Sequence, residues 1–177
     1  MRFARVATPI GELTLVATDA GLREVRWPGE HPPDAAVEQP DDPVLAAAAD
    51  QLRAWFAGAR TAFDLPLDLA AATAFQRRAW LALAEIPYAT TRSYGEQARV
   101  LGAPRAARAV GAANGRNPLP IVLPCHRLVG ADGSLTGFGG GLEVKRALLD
   151  HEAESAARAA AAGSARRRTS LAPRRRT

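Results

Sequence analysis

Asn117-Pro118-Leu119-Pro120-Ile121-Val122-Leu123-Pro124-Cys125-His126-Arg127 carries an apolar run into a rigid proline and then into the only thiol of the 177-residue chain. Cysteine attacks as thiolate, so a nucleophilic Cys125 needs a depressed pKa or a neighbouring base. His126 is next in sequence, but in an extended segment successive side chains point to opposite faces. A proton relay between the two therefore requires a kinked backbone or an intervening water. A lone cysteine can equally be a small buried hydrophobe. On these residues alone both readings stand.

Upstream of this stretch the pattern is helical. Residues 75–85 carry Phe75, Ala79, Trp80 and Leu83 at helical spacing. Ser93-Tyr94-Gly95-Glu96 matches a capping box, in which the Ser93 hydroxyl accepts from the Glu96 amide while Glu96 reaches back. The helix it starts is expected to run to about Leu101, with Gly102 closing it. A second helix is expected from near Pro104 through about Ala113. Two short helices joined at Gly102-Ala103 look like a helix-turn-helix, a pattern that many α-hairpins share.

Residues 1–69 read differently. Runs at 3–7, 13–18 and 22–27 are rich in β-branched and bulky apolar residues, and Pro9-Ile10-Gly11 and Asp19-Ala20-Gly21 separate them as turns. A three-stranded meander is expected. A polar loop over 28–42 with four prolines follows. Then comes a helix with Pro43 in its first turn, an apolar face of Val44, Leu45, Ala48, Leu52, Trp55 and Phe56, and Gly58 past its end. Residues 63–67 are expected as an edge strand, because Pro66 cannot donate to a ladder. Residues 154–177, mostly Ala, Arg, Ser, Gly and Thr, lack the apolar side chains to pack and are read as a disordered tail.

The formal charge of +5 is unevenly spread. Residues 1–69 carry −5, residues 70–153 carry +4 and the tail carries +6. An acidic front and a basic back fit a second block that faces a polyanion, although a solvated basic surface would look the same. One cysteine excludes an internal disulfide and a Cys-rich zinc site, and fits a reducing cytoplasm. No run of apolar residues is long enough to span a bilayer, and residues 1–15 lack a secretory signal layout.

Pro124-Cys125-His126-Arg127, the preceding Asn117-Pro118 and the glycine cluster Gly137-Phe138-Gly139-Gly140-Gly141-Leu142 resemble the O6-alkylguanine-DNA alkyltransferase family. The resemblance extends through Thr8-Pro9-Ile10-Gly11, Phe75-Gln76, Ile86-Pro87-Tyr88, Ser93-Tyr94-Gly95, Ala106-Ala107-Arg108-Ala109-Val110-Gly111 and Leu148-Leu149-Asp150-His151-Glu152. These pieces fall in the family's order and spacing over residues 8–152. The resemblance implies an α+β fold. A ribonuclease H-like sheet-plus-helix domain occupies 1–69, and a helical, winged-helix-like DNA-binding domain that holds the site occupies 70–153. It implies irreversible transfer of an alkyl group from O6-alkylguanine in duplex DNA, and more slowly from O4-alkylthymine, to Cys125. Neither a cofactor nor a metal is implied, and the protein is expected to act as a cytoplasmic monomer.

The resemblance also assigns roles. The target base must leave the duplex before a thiol can reach it. The second helix of the helix-turn-helix would enter the minor groove, and Arg108 would fill the space left by the base. Ala106, Ala107, Ala109 and Gly111 are small enough to let that helix approach a narrow groove, and Ser93 joins them as a DNA-binding residue. Tyr94 would donate to the purine N3, stabilising charge that develops on the leaving purine. Backbone groups at Cys125, Leu128 and Gly139 would read the purine edge, with Phe138 as a pocket wall and Lys145 near the sulfur. Glu152 would orient His126, which takes the thiol proton through water, while Asn117 positions the thiol's turn. Arg127 is expected to brace this core through an ion pair.

The chain departs from the family at Leu128, usually Val, at Phe138, often Tyr, and at Ala74, usually Pro. Some members bind zinc in the N-terminal domain through Cys and His; here that block has no Cys and a lone His31. Two rival readings are a DNA-binding sensor without chemistry and a Cys–His hydrolase. Neither accounts for Arg108, Tyr94 and the glycine cluster together.

Overall fold

The computed structural model describes residues 1–170. Its first turns form where Gly11 and Gly21 take φ of +108° and +138°, a region that side chains rarely tolerate. These turns join β1 (Arg2–Thr8), β2 (Gly11–Thr18) and β3 (Gly21–Arg26) into the expected antiparallel meander, with Arg2 opposite Ala17 and Thr14 opposite Arg26. A two-residue strand, β4 (Val37–Glu38), lies unexpectedly within the proline-bearing loop. It runs parallel to β1 and gives the order β3-β2-β1-β4.

Helix α1 (Pro43–Phe56) packs on this sheet. The Asp42 carboxylate caps it by accepting from the amides of Val44 at 3.0 Å and Leu45 at 3.1 Å. Its apolar stripe buries Leu45, Ala48, Leu52 and Trp55 completely, in one core with Leu13, Leu15 and Leu22. Each of these large side chains contributes about 1.5–3 kcal/mol by leaving water.

Residues 63–67 do not form the expected edge strand. Only Leu67 bridges to Leu22. The Pro66 carbonyl accepts from Leu22 N, and Asp68 N donates to Leu22 O, both at 2.8 Å. Pro66 cannot add a donor, so pairing stops there.

In the second half, α2 (Ala74–Leu81) opens on a capping box of Thr73 and Gln76 and ends four residues before the expected Glu85. Tight turns at Leu83 and Ile86 then bury both side chains. The box read at Ser93 and Glu96 is formed, and it starts α3 (Tyr94–Val100) directly after β5 (Arg92–Ser93). Gly102, at φ +71°, closes α3. The second helix of the pair, α4 (Ala107–Asn114), starts later than Pro104, because a turn closed by Ala106 N to Ala103 O at 2.8 Å takes up the proline. Trp80 Nε1 donates to Ala113 O at 2.7 Å and ties α2 to α4. β6 (Leu128–Val129), directly after the quoted stretch, pairs parallel with β5.

Helix α5 (Leu142–Ser170) corrects the reading of the tail. The chain is helical well past residue 153, since Ala and Arg are good helix formers even where they cannot build a core. Ser155 on this helix is buried, close against Gly58. Residues 171–177 of the expected tail lie outside the described residues. No helix among the described residues is long and apolar enough to cross a membrane. The fold is α+β, as expected.

Among the contacts that join the halves, two hydrogen bonds anchor the segments that carry the site. Val25 N, on the edge strand β3, donates to Pro118 O at 2.8 Å, anchoring the nucleophile segment to the sheet. The His151 Nε2–H donates to Trp55 O at 3.0 Å, anchoring α5 to α1.

Candidate active site

The segment before Cys125 is held in a conformation it would not adopt alone. Ile121 sits at φ +72°, a strained position for a β-branched residue that persists only where surroundings enforce it. Asn117 supplies that enforcement. Its Oδ1 accepts from Leu119 N at 3.0 Å and its Nδ2 donates to Leu123 O at 2.7 Å, and Leu123 N donates to Leu119 O. Pro124, with φ −76° and ψ 69°, makes an inverse γ-turn in which Cys125 N donates to Leu123 O at 2.7 Å. Cys125–Arg127 then form one 3-10 turn. The backbone is therefore kinked, so Cys125 and His126 are not forced onto opposite faces.

Cys125 is buried, and burial pushes its thiol up to about 11, against the opposing pull of the Asn117 side chain and the Lys145 charge. At neutral pH it is a protonated thiol, and it needs a base to react.

Glu152, fully buried on α5, is where the base is organised. Its Oε1 lies 2.9 Å from His126 Nε2 and 2.7 Å from Arg127 Nη2. Arg127 Nε spans both carboxylate oxygens at 3.1 Å, and Ala89 N donates to Oε2 at 2.9 Å. Burial alone would raise this carboxyl, but the bonds and charges of His126 and Arg127 outweigh it and hold Glu152 below its ordinary range. The anion fixes the tautomer, since Nε2 must carry the proton it donates to the carboxylate. His126 Nδ1 is then an acceptor, and it is buried with no hydrogen-bond partner among the described residues. Burial also lowers the His126 pKa, despite the pull of Glu152, and so favours the neutral imidazole.

Arg127 braces the core as expected. It forms the ion pair with Glu152, and its Nη1 donates to Ile86 O at 2.6 Å. Three participants were not singled out from sequence. Trp55 stands edge-on to His126 at 6.1 Å between ring centroids. Ala89 reaches its Glu152 bond through a φ of +58°. Asn114 is buried, with Nδ2 3.5 Å from Cys125 O. None carries a local signal, because each matters only through residues distant in sequence.

Two of the expected pocket residues, Tyr94 and Phe138, lie around Lys145. Its ammonium is buried, donates to Thr136 O at 2.8 Å, and lies 5.9 Å from the Tyr94 ring centroid and 6.0 Å from that of Phe138. Burial lowers its pKa, opposed by the charge it would feel from a Cys125 thiolate. Tyr94 is half-buried at the start of α3, and α4 lies alongside its ring at Gly111, where a Cβ would make ordinary contact at 4.0 Å. Leu128 is fully buried behind the nucleophile turn. Gly139 and Gly140 do not simply leave space for a ligand, because the indole of Trp27 abuts both. A groove of about 800 Å³ between Trp27, His31, Arg116, Asn117 and Gly139 runs outside this cluster and is not lined by Cys125.

The candidate DNA face is α4. Arg108 and Ala109 are exposed, while Ala106, Ala107 and Gly111 are half-buried. Arg108 forms no hydrogen bond or ion pair among the described residues. The Ser93 hydroxyl is engaged with Glu96 in the cap of α3. No group of three or more His, Cys, Asp or Glu among the described residues is placed to hold a metal ion.

Comparison with known proteins gives two family matches. Residues 1–69 match the ribonuclease-like domain of 6-O-methylguanine DNA methyltransferase, and residues 74–154 match its DNA binding domain. A methylated-DNA–protein-cysteine methyltransferase of Mycobacterium bovis is 50% identical over 153 residues, covering 86% of this chain and 92% of that protein. One from Methanosarcina acetivorans is 44% identical over 156 residues, covering 86% and 98%. Among solved structures, Mycobacterium tuberculosis OGT in complex with DNA superposes with a TM-score of 0.81 at 48% identity, covering 88% of this chain and 94% of that one.

Proposed function

The chain belongs to the 6-O-methylguanine DNA methyltransferase family, and from that premise we propose that it repairs duplex DNA by moving the alkyl group of O6-alkylguanine, once, onto its own Cys125. Its activity is that of a methylated-DNA–protein-cysteine methyltransferase. The observation that carries the assignment to Cys125 is the buried array beside it, in which Glu152 holds His126 by Nε2 and leaves Nδ1 as a free acceptor.

In this reading Arg108 on α4 takes the place of the flipped base, and the small residues around it admit the helix to the minor groove. The thiol proton passes to His126 Nδ1 through water. The sulfur attacks the alkyl carbon, forming the S–C bond as the C–O bond breaks, and the electron pair stays on the guanine oxygen. Tyr94 donates to the purine as that charge builds, and Lys145 adds a cation beside it. The imidazolium formed at His126 is stabilised by the Glu152 anion. Asn117 and the strained turn hold the sulfur in register, which is worth orders of magnitude in rate when the attack geometry is narrow. Regenerating the thiol of Cys125 would require breaking a thioether, and no group among the described residues is placed to do so. The protein is therefore consumed. O4-alkylthymine is a slower substrate of the same pocket, and the protein works as a monomer in the cytoplasm.

The test is a burst assay with methylated duplex in large excess over protein. Transfer should stop at one alkyl group per chain. Continued turnover would contradict the reading.

A further inference from the structure

The edge strand β3 and the residue that follows it touch both walls of the site, and the second contact is made by a residue with no assigned role. Val25 holds Pro118, at the entry to the nucleophile segment. Two residues on, Trp27 reaches the opposite wall. Its indole meets Phe138 edge-on, with centroids 5.3 Å apart and planes at 61°. A Cβ on Gly139 would lie 3.3 Å from Trp27 Nε1, and one on Gly140 would lie 3.0 Å from Cδ2 and Cε2 and 3.1 Å from Cζ2. Gly140 is not in the left-handed region, so its backbone does not require glycine. The indole does. The Trp27 backbone is itself fixed, since its amide donates to Glu30 Oε2 at 2.8 Å and its carbonyl accepts from Glu30 N. The 136–140 wall is thus tied at Thr136 by Lys145 and seated over residues 138–140 by Trp27.

We propose that Trp27 is a positioning residue for the alkylguanine pocket, through which the N-terminal domain sets the placement of the Phe138–Gly140 wall. This rests on the function proposed above. It gives the N-terminal domain a part in substrate affinity.

Free O6-benzylguanine, which needs no DNA contact, isolates the effect. Single-turnover alkylation of full-length protein across its concentration separates the half-saturating concentration from the maximal rate. Trp27→Ala and Gly140→Ala should each raise the half-saturating concentration about ten- to a hundredfold, the range of one lost apolar pocket contact, with the maximal rate nearly unchanged. Trp27→Phe, which keeps an aromatic seat for Phe138, should recover most of the loss. The three atoms nearest to the added methyl of Gly140→Ala all belong to the indole, so in the Trp27→Ala background it should cause little further loss. Losses that multiply, or a wild-type half-saturation in either single variant, would overturn the proposal. Should Trp27→Ala not fold, Gly140→Ala alone decides by the same criterion. Wild-type protein that takes up no benzyl group would refute the function instead, while normal uptake with indifferent variants refutes only the role of Trp27.

Discussion

Replacing His126 by Gln separates the chemistry of the thiol from that of its base. Burial places the Cys125 thiol at about 11. At pH 7.5 such a thiol is ionised in only about one molecule in 3,000, a deficit of about 5 kcal/mol relative to full thiolate. A positioned base contributes about 10²- to 10⁴-fold, the same order as this deficit. Gln is close to His in size and can still donate to Glu152, so the carboxylate keeps a partner while the acceptor at Nδ1 is lost. His126→Gln should therefore lower the single-turnover rate on O6-methylguanine duplex about 10²- to 10³-fold at pH 7.5. Its rate should then climb about tenfold per pH unit toward pH 10, as thiolate forms without help. The wild-type profile should be much flatter there. Rapid-quench transfer from labelled duplex across pH 6–10 measures both, with DNA affinity and circular dichroism as controls for folding. A variant with the wild-type rate, or one as flat with pH as the wild type, would remove His126 from the proton path.

Glu152→Gln should cost about 3–5 kcal/mol in urea denaturation, because Arg127 is left as a buried cation without its counter-ion; a loss below 1 kcal/mol would mean that the network carries little energy. Stability should fall on acidification in two stages. His126 is held neutral by burial, so protons bind the unfolded chain first as pH drops below about 6.5, and Glu152, depressed in the fold, adds a further loss below about 4.3. A denaturation midpoint constant from pH 7.5 to 5 would contradict the first stage. In the alkaline direction the raised thiol means the unfolded chain ionises first, so stability should decline from about pH 9 toward 11, and Cys125→Ser should lack that decline. Arg108→Ala should slow repair of duplex far more than reaction with free O6-benzylguanine; equal losses on both would remove the wedge role.

What could be read from the chain before its structure was what depends on neighbours in sequence. The Ser93–Glu96 box, the stop at Gly102 and the meander turns at Gly11 and Gly21 are local devices, and each forms as read. The pairing of Glu152 with His126 followed only from a resemblance carried by spaced motifs, since no local rule joins residues 26 positions apart. What escaped was set by distant partners. β4 exists because β1 offers an edge, and residues 63–67 fail as a strand because Pro66 offers no donor. The extension of α5 was missed by weighing core-forming capacity above helix propensity, although Ala and Arg favour a helix whether or not it packs. The glycine cluster carries no local sign of its neighbour, yet a Cβ on two of its members would crowd an indole more than a hundred residues away.

The central claim is that Cys125 accepts one alkyl group and keeps it. Intact mass of the full-length chain after mixing with a slight excess of O6-methylguanine duplex tests it most directly, with Cys125→Ser alongside. The account predicts a gain of one methyl per chain, located on Cys125 by peptide mapping and absent from the variant. Unchanged mass in protein that still binds the duplex, or a methyl group found on any other residue, would contradict it.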